Sequence, residues 1–261
     1  KFIRENYLEK EDSGIPIESA TYEYSRRRIF GTDINDRAAR TAKLNILMHG
    51  GCHSGVDHVN ALLADEQAPS SFTSIIHPGG VDVILANPPF AGFERDPNVL
   101  RKFHLGLNGM GTPTSVTREV LFLERIVTLL KVGGRAGIVI PQGIFTNRKL
   151  LPVRDFLRAN TKILAVIELP DWAFIPSGTS VRGSILFVER CSRVPAHYSV
   201  FMKRVDHIGF TSTGRPDPLN DLDDTIREYR RKDKRFLVPI SEVSKRLDAK
   251  FYQSEHREII D

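Results

Sequence analysis

Strand-like and helix-like segments alternate from the start of the chain to about residue 190, and this alternation limits the fold more than any other feature. It fits a largely parallel sheet with covering helices. Residues 28–34 (RIFGTDI), 56–63 and 81–86 (VDVILA) are short apolar runs suited to strands. Residues 1–8 read as the end of a helix, and residues 36–48 place apolar side chains at helical spacing before Gly50-Gly51, a natural terminator. Further on come a helix at 118–130 closed by Gly133-Gly134, a strand at 135–140, a helix at 151–159, and strands at 163–169 and 184–189. The link between the last two is too short for a helical crossover, so they are expected to form an antiparallel hairpin at the sheet edge. Residues 91–117, rich in turn formers, read as a mobile loop facing substrate or acting as a lid. Beyond residue 190 the pattern weakens to a strand at 198–205, a helix at 222–231 and a helical or extended tail at 241–260. The expected organisation is a main domain over 1–190 and an extension over 191–261.

At 261 residues the chain holds one α/β domain with a small appendage. No apolar run is long enough to cross a bilayer, and the first ten residues lack the pattern of a secretory signal. Two distant cysteines, Cys52 and Cys191, fit a reduced cytoplasmic setting and supply no zinc framework. His49, Cys52 and His53 are close in sequence, but Gly50 and Gly51 break the helix that would align them, so no metal site is expected. The net charge of +5 favours a phosphate-bearing partner without identifying one. Its densest clusters are Arg26-Arg27-Arg28 and residues 227–235, each ordinarily a solvated face.

The chemistry-bearing signal is Asn87-Pro88-Pro89-Phe90 directly after the strand at 81–86. Two prolines end ladder pairing there. The residue types suit methylation of an aromatic amine, whose nitrogen is a poor nucleophile because its lone pair is delocalised into the ring. Two acceptors on its hydrogens draw it toward a tetrahedral geometry and free the lone pair for in-line attack. The Asn87 side-chain carbonyl and the Pro88 main-chain carbonyl supply such a pair. Pro89 helps to lock the turn, and Phe90 offers a flat apolar face to a base swung out of a duplex.

These residues lie in a wider pattern: IFGTDINDRAARTAKLNILMHG, VDVILANPPF, EVLFLERIVTLLKVGGRAGIVIPQGIF and FIPSGTSVRGSILFVER. Over roughly residues 28–190 the chain resembles the gamma-type adenine DNA methyltransferases, in particular the modification subunits of type I restriction systems and the fused type II enzymes. The resemblance implies a Rossmann-like methyltransferase fold, a mostly parallel sheet with a terminal antiparallel hairpin. It implies S-adenosyl-L-methionine as cofactor, double-stranded DNA as substrate with transfer to adenine N6, and specificity and restriction subunits as partners. Asp33 matches the acidic residue that binds the cofactor ribose, Ile34 the apolar neighbour against its adenine, and Asn60 a position where relatives often carry aspartate. Phe174 matches a second aromatic that, with Phe90, sandwiches the flipped adenine. The tail SEVSKRLDAKFY resembles the entrance to a DNA-specificity region. The family's glycine-rich loop after its first, central strand has no counterpart here, so that strand and loop are expected to be missing from these residues, leaving the fragment alone inactive. Two other readings stand beside this one: a protein-glutamine methyltransferase, which uses a similar turn, and a non-catalytic fragment that binds DNA or subunits.

Overall fold

The computed structural model describes residues 16–243 and 246–252. The expected helix end at residues 1–8 and the tail beyond Tyr252 lie outside them. The chain divides into two compact units, Lys1–His77 and Pro78–Asp261.

In the first unit, helix α1 (Ile17–Arg28) leads into strand β1 (Gly31–Asp33), helix α2 (Asp36–Met48) and strand β2 (Val56–His58). The strands pair in parallel, Gly31 opposite Val56 and Asp33 opposite His58. Helix α2 starts where expected because the Asn35 side chain accepts from the Ala38 amide at 3.2 Å, and it ends where Gly50 takes a φ of 76°. Both strands are shorter than expected. Residue 28 belongs to α1, whose last turn holds Arg26, Arg27 and Arg28 near the negative end of the helix dipole, with Arg26 paired to Glu23 at 2.9 Å. The run at 56–63 stops at His58 because the Asn60 side chain accepts from the Leu62 amide at 3.1 Å and starts a tight turn.

The second unit opens with strand β3 (Val81–Ala86) and a small hairpin, β4 (Phe93–Glu94) with β5 (Val116–Thr117), then helix α3 (Arg118–Leu129) and strand β6 (Leu130–Pro141). Helix α4 (Leu151–Asn160), strands β7 (Thr161–Glu168), β8 (Gly183–Arg190), β9 (Ser199–Arg204), β10 (Ile208–Phe210) and β11 (Pro216–Asn220), helix α5 (Leu222–Arg231) and strand β12 (Leu237–Pro239) follow. Six strands form one sheet in the order β12-β9-β7-β8-β6-β3. Strands β3, β6, β7 and β9 run one way, while β8 and β12 oppose them. Residues 191–243 thus extend the same sheet through β9 and β12.

Three expectations about this unit change. Strand β8 is antiparallel as anticipated, yet it is inserted between β6 and β7 instead of lying at an edge. One face of the strand is fully buried, with Leu186 and Val188 at 0% exposure, and the other carries the partly buried Ile185 and Phe187, a pattern that suits an interior strand. The stretch at 91–117 is anchored in its middle: Val99, Leu100 and Phe103 are buried, and Glu124 of α3 accepts from the amides of His104 at 2.7 Å and Leu105 at 2.8 Å, while residues 108–112 form an exposed turn. Gly133 and Gly134 do not cap a helix. Helix α3 ends at Leu129, and Gly133, at φ 83°, turns the chain inside the irregular start of β6.

The core of the unit is the apolar stripe of α3, including Val120, Leu123, Ile126 and Val127, packed with Phe145, Val153, Leu157 and the sheet residues Ile138, Ile140, Ile163 and Val166. Strand β3 stands apart. Ile84 and Ala86 pack on that core, but Val83 and Leu85, on the other face, are 65% and 82% exposed. Among the described residues its only ladder partner is β6.

Candidate active site

Parallel strands β3, β6 and β7 all end at one edge of the six-stranded sheet, and β8 starts there. Open α/β sheets place ligands at such carboxyl ends. Asn87 and Pro88 leave β3 at this edge, Asn87 exposed and Pro88 buried. Neither the Asn87 side chain nor the Pro88 carbonyl accepts a hydrogen bond from any described residue, so two neighbouring acceptors are unengaged. Pro89 is exposed, and Phe90 is half-buried. The chain past Phe90 is tied down: the Arg118 amide, at the start of α3, donates to the Gly92 carbonyl at 3.0 Å, and Phe93 pairs with Thr117.

Phe174 comes from the segment between β7 and β8, whose ends are drawn together by the Leu169 amide on the Gly183 carbonyl at 3.1 Å. The structure brings Phe90 and Phe174 into contact, ring centroids 5.2 Å apart and planes at 90°. An edge-to-face pair is a favourable aromatic contact, but it holds no slot for a third ring. A base inserted between two aromatic faces needs them roughly parallel and further apart, so one ring must turn before a sandwich forms.

Two features of this edge escaped the sequence reading. Gly183 faces the Phe174 ring so closely that a Cβ there would collide with ring atoms Cε2 and Cδ2. Only glycine lets the ring lie where it does. Glu168, buried at the end of β7, accepts from the Gln142 side chain at 2.8 Å and the Lys250 amide at 3.0 Å, joining the turn after β6 to the segment 246–252. Leu247 and Tyr252 of that segment are buried, so the tail resembling a specificity-region entrance is anchored in the core up to this point. The signal for Gly183 was a glycine opening an apolar strand, which marks close approach of another group. For Glu168 it was a carboxylate inside a buried run, which has to be partnered.

In the first unit, Asp33 and Asn60 sit at the ends of neighbouring parallel strands. Asp33 is exposed, and its Oδ1 accepts from the Asn35 amide at 2.7 Å, which leaves the second oxygen open. Ile34 is 69% exposed, with its carbonyl bonded to the His58 ring at 2.9 Å. The Asn60 carbonyl is engaged by Leu62, but its amide group is not. A carboxylate, an apolar face and an amide at adjacent strand ends suit a nucleoside, the carboxylate toward a vicinal diol. His49 and Cys52, by contrast, are occupied locally, the former with the Asn45 carbonyl at 2.8 Å and the latter with the Ser54 hydroxyl at 3.1 Å. Among the described residues there is no cluster of three metal-ligating side chains, and no helix is long and apolar enough to cross a membrane.

Residues 9–222 match the model of the N-6 DNA methylase family. The chain belongs to that family. It is 33% identical over 110 residues to the methylase subunit of the type I restriction enzyme EcoEI from Escherichia coli, covering 41% of this chain and 20% of that protein. It is 26% identical over 174 residues to the EcoKI methylase subunit of Escherichia coli K12, covering 66% of this chain and 30% of the relative. The chain therefore spans under a third of the length of these curated relatives. Among solved structures, the type I methyltransferase subunit from Streptococcus thermophilus superposes with a TM-score of 0.61 at 18% identity, covering 80% of this chain and 43% of that one. The EcoKI M protein gives 0.56 at 20% identity, covering 87% and 44%. These likenesses establish the S-adenosylmethionine-dependent methyltransferase fold. The family match is to DNA methylases and lends nothing to the protein-glutamine alternative.

Proposed function

We propose that this chain forms most of the catalytic region of an adenine-specific DNA methyltransferase in a restriction-modification system, transferring a methyl group from S-adenosyl-L-methionine to N6 of an extruded adenine. One observation carries the reading: the Asn87 side chain and the Pro88 carbonyl stand unengaged at a strand end, next to the Phe90–Phe174 pair. The two acceptors take the two hydrogens of the adenine amine and turn its lone pair toward the methyl carbon. Pro88 and Pro89 fix the backbone that aims the carbonyl, and Phe90 stacks on the base. The cofactor supplies an electrophilic methyl on a sulfonium. Asp33 binds its ribose, Ile34 covers its adenine, and Asn60 hydrogen-bonds that ring's edge. Double-stranded DNA is the substrate, with specificity and restriction subunits as partners, in the cytoplasm.

In the intact enzyme, Asn87→Ala is expected to lower methyl transfer to DNA by about 100- to 1,000-fold, the scale seen when one preorganised polar group is removed from a reacting centre. Cofactor and DNA affinities should stay within a few-fold of the parent. Tritiated-methyl incorporation and equilibrium binding measured together check this. Transfer at the parental rate would overturn the role of Asn87.

The open face and edge of β3 favour a second proposal. Val83 and Leu85, in a strand of the type buried on both faces, fit a sheet that continues past β3 with a further strand and its covering helix.

A further inference from the structure

We infer that the turn between β6 and α4, through Arg148 and Lys149, binds backbone phosphates of DNA next to the target nucleotide. The inference rests on the DNA-methyltransferase reading above and adds a phosphate site to it.

Placement comes first. Strands β3 and β6 are parallel neighbours with Ala86 opposite Ile138, and β6 continues to Pro141, so residues 142–150 emerge at the edge that carries Asn87. The Gln142 amide donates to the Arg182 carbonyl at 3.0 Å, which links this turn to the segment carrying Phe174. The turn therefore lies at the same sheet edge as Phe90 and Phe174, where a duplex presenting a base to them would approach.

The turn is also built to hold its shape. Arg154, buried in α4 at 2% exposure, donates from Nη1 to the carbonyls of Ile144 at 2.7 Å and Asn147 at 2.9 Å. Burial pushes the Arg154 guanidinium below its ordinary range, so this cation is held in the interior at a cost, tying down the turn's main chain. Ile144 and Phe145 are sunk in the core, and the Asn147 side chain accepts from the Lys149 amide at 2.9 Å. A surface loop needing only solubility requires none of this.

What the turn presents outward is two adjacent exposed cations, Arg148 and Lys149, with no ion-pair partner among the described residues. Some surface arginines are neutralised locally, Arg26 by Glu23, Arg40 by Asp36, Arg135 by Glu189 and Arg235 by Asp233, while others such as Arg37 and Arg95 are exposed like Arg148; what sets Arg148 and Lys149 apart is their place on a tied-down turn at the Asn87 edge. An unpaired arginine beside a lysine on a fixed main chain matches a phosphodiester, the guanidinium bidentate and the ammonium as a point charge. Enzymes that extrude a base hold the flanking backbone while the base is out, and phosphate contacts set that register without reading sequence.

The test is the salt dependence of DNA binding by the intact enzyme, followed by fluorescence anisotropy on a labelled duplex of mixed sequence. Each phosphate contact contributes about −0.9 to the slope of log affinity against log salt. Arg148→Ala and Lys149→Ala are each expected to make the slope shallower by about 0.9, and the double variant by about twice that, with equal weakening on methylated and unmethylated duplexes. Both residues are exposed, so the thermal unfolding midpoint should not move. Unchanged slope and affinity in the double variant, with the parent enzyme still binding and methylating DNA, would overturn the phosphate site alone. A parent enzyme that neither binds nor methylates DNA would overturn the underlying reading with it. If the variants lose association with another protein subunit while DNA slopes hold, the turn is a protein-docking surface and the inference fails.

Discussion

Asp33 leaves a three-residue strand in a two-stranded pair, whereas Asn87 leaves a six-residue strand in a six-stranded sheet. Each lies at a carboxyl strand end, and in each case the local backbone follows directly from sequence: an Asn-capped helix start after Asp33, a double-proline stop after Asn87. The difference is what stands behind them. The Asn87 edge is backed by α3, β6, β7 and β8, with side chains at or near zero exposure, while β1 and β2 form a pair too small to be stable by itself. Local chemistry is present at both ends, but only the Asn87 edge has a wall of packed strands to hold it to the precision that group transfer needs.

The largest test of that contrast concerns the cofactor. If, as proposed, Asp33, Ile34 and Asn60 hold only the nucleoside end of the cofactor, these 261 residues alone are expected to bind S-adenosyl-L-methionine about 100-fold more weakly by calorimetry than the intact enzyme. Equal affinity in both would mean that the two-stranded pair is a complete cofactor site and would erase the contrast.

A smaller effect is expected within the better-built edge. Gly183→Ala forces the Phe174 ring off its seat, with a stability cost of about 1–3 kcal/mol from overpacking. Asn87 and Pro88, on a different strand, keep their positions. Methyl transfer should therefore fall chiefly through weaker capture of the target base, roughly tenfold if about 1.4 kcal/mol of stacking is lost. The loss should show in KM for DNA and in the fluorescence of 2-aminopurine at the target position. A fall in kcat alone, with unaltered base capture, would show that Phe174 does not depend on Gly183.

How much of this was legible in the sequence differs by kind of interaction. Helix α2, strand β3 and helix α5 fall at the residues expected, since their limits are set by neighbours in sequence: Asn35 and Gly50, Pro88, and the acidic-to-basic run from Asp223 to Arg231. The place of β8 in the sheet was not legible, because a short connection tells that two strands are antiparallel and leaves open whether a third strand lies alongside. The anchoring of the middle of 91–117 was missed for a similar reason: Glu124, which holds His104 and Leu105, lies on a later helix, and Phe93 pairs with Thr117 at the far end of the stretch. The Asn87 turn stands out in the sequence because its residues are consecutive and follow an apolar strand directly. Gly183 and Glu168 could not, since each acts on a residue distant in the chain.

The smallest expected effect separates two carboxylates on one helix. Glu119 and Glu124 both lie on α3 and both are 7% exposed. Glu124 accepts from two main-chain amides, whereas Oε2 of Glu119 has no hydrogen-bond partner. Burial raises the Glu119 carboxyl above its ordinary range, opposed by its own amide and the Thr117 hydroxyl. An acid whose folded value exceeds its unfolded value holds its proton more tightly in the folded state. Its contribution to stability is then fully present below the unfolded carboxylate range and is lost as pH rises through the raised folded value. Glu119→Gln keeps the shape and the neutral charge at every pH and removes this dependence. In urea unfolding across mildly acidic to neutral pH, the variant should gain on the parent as pH rises, while Glu124→Gln, which replaces a carboxylate oxygen by a second donor facing two amides, should lose at neutral pH. Because Arg118, next to Glu119, holds the Gly92 carbonyl just past Phe90, the same titration should be felt at the Asn87 edge. Parallel stability curves for parent and Glu119→Gln would show that the buried carboxyl titrates alike folded and unfolded, and that the Asn87 edge carries no such pH-dependent element.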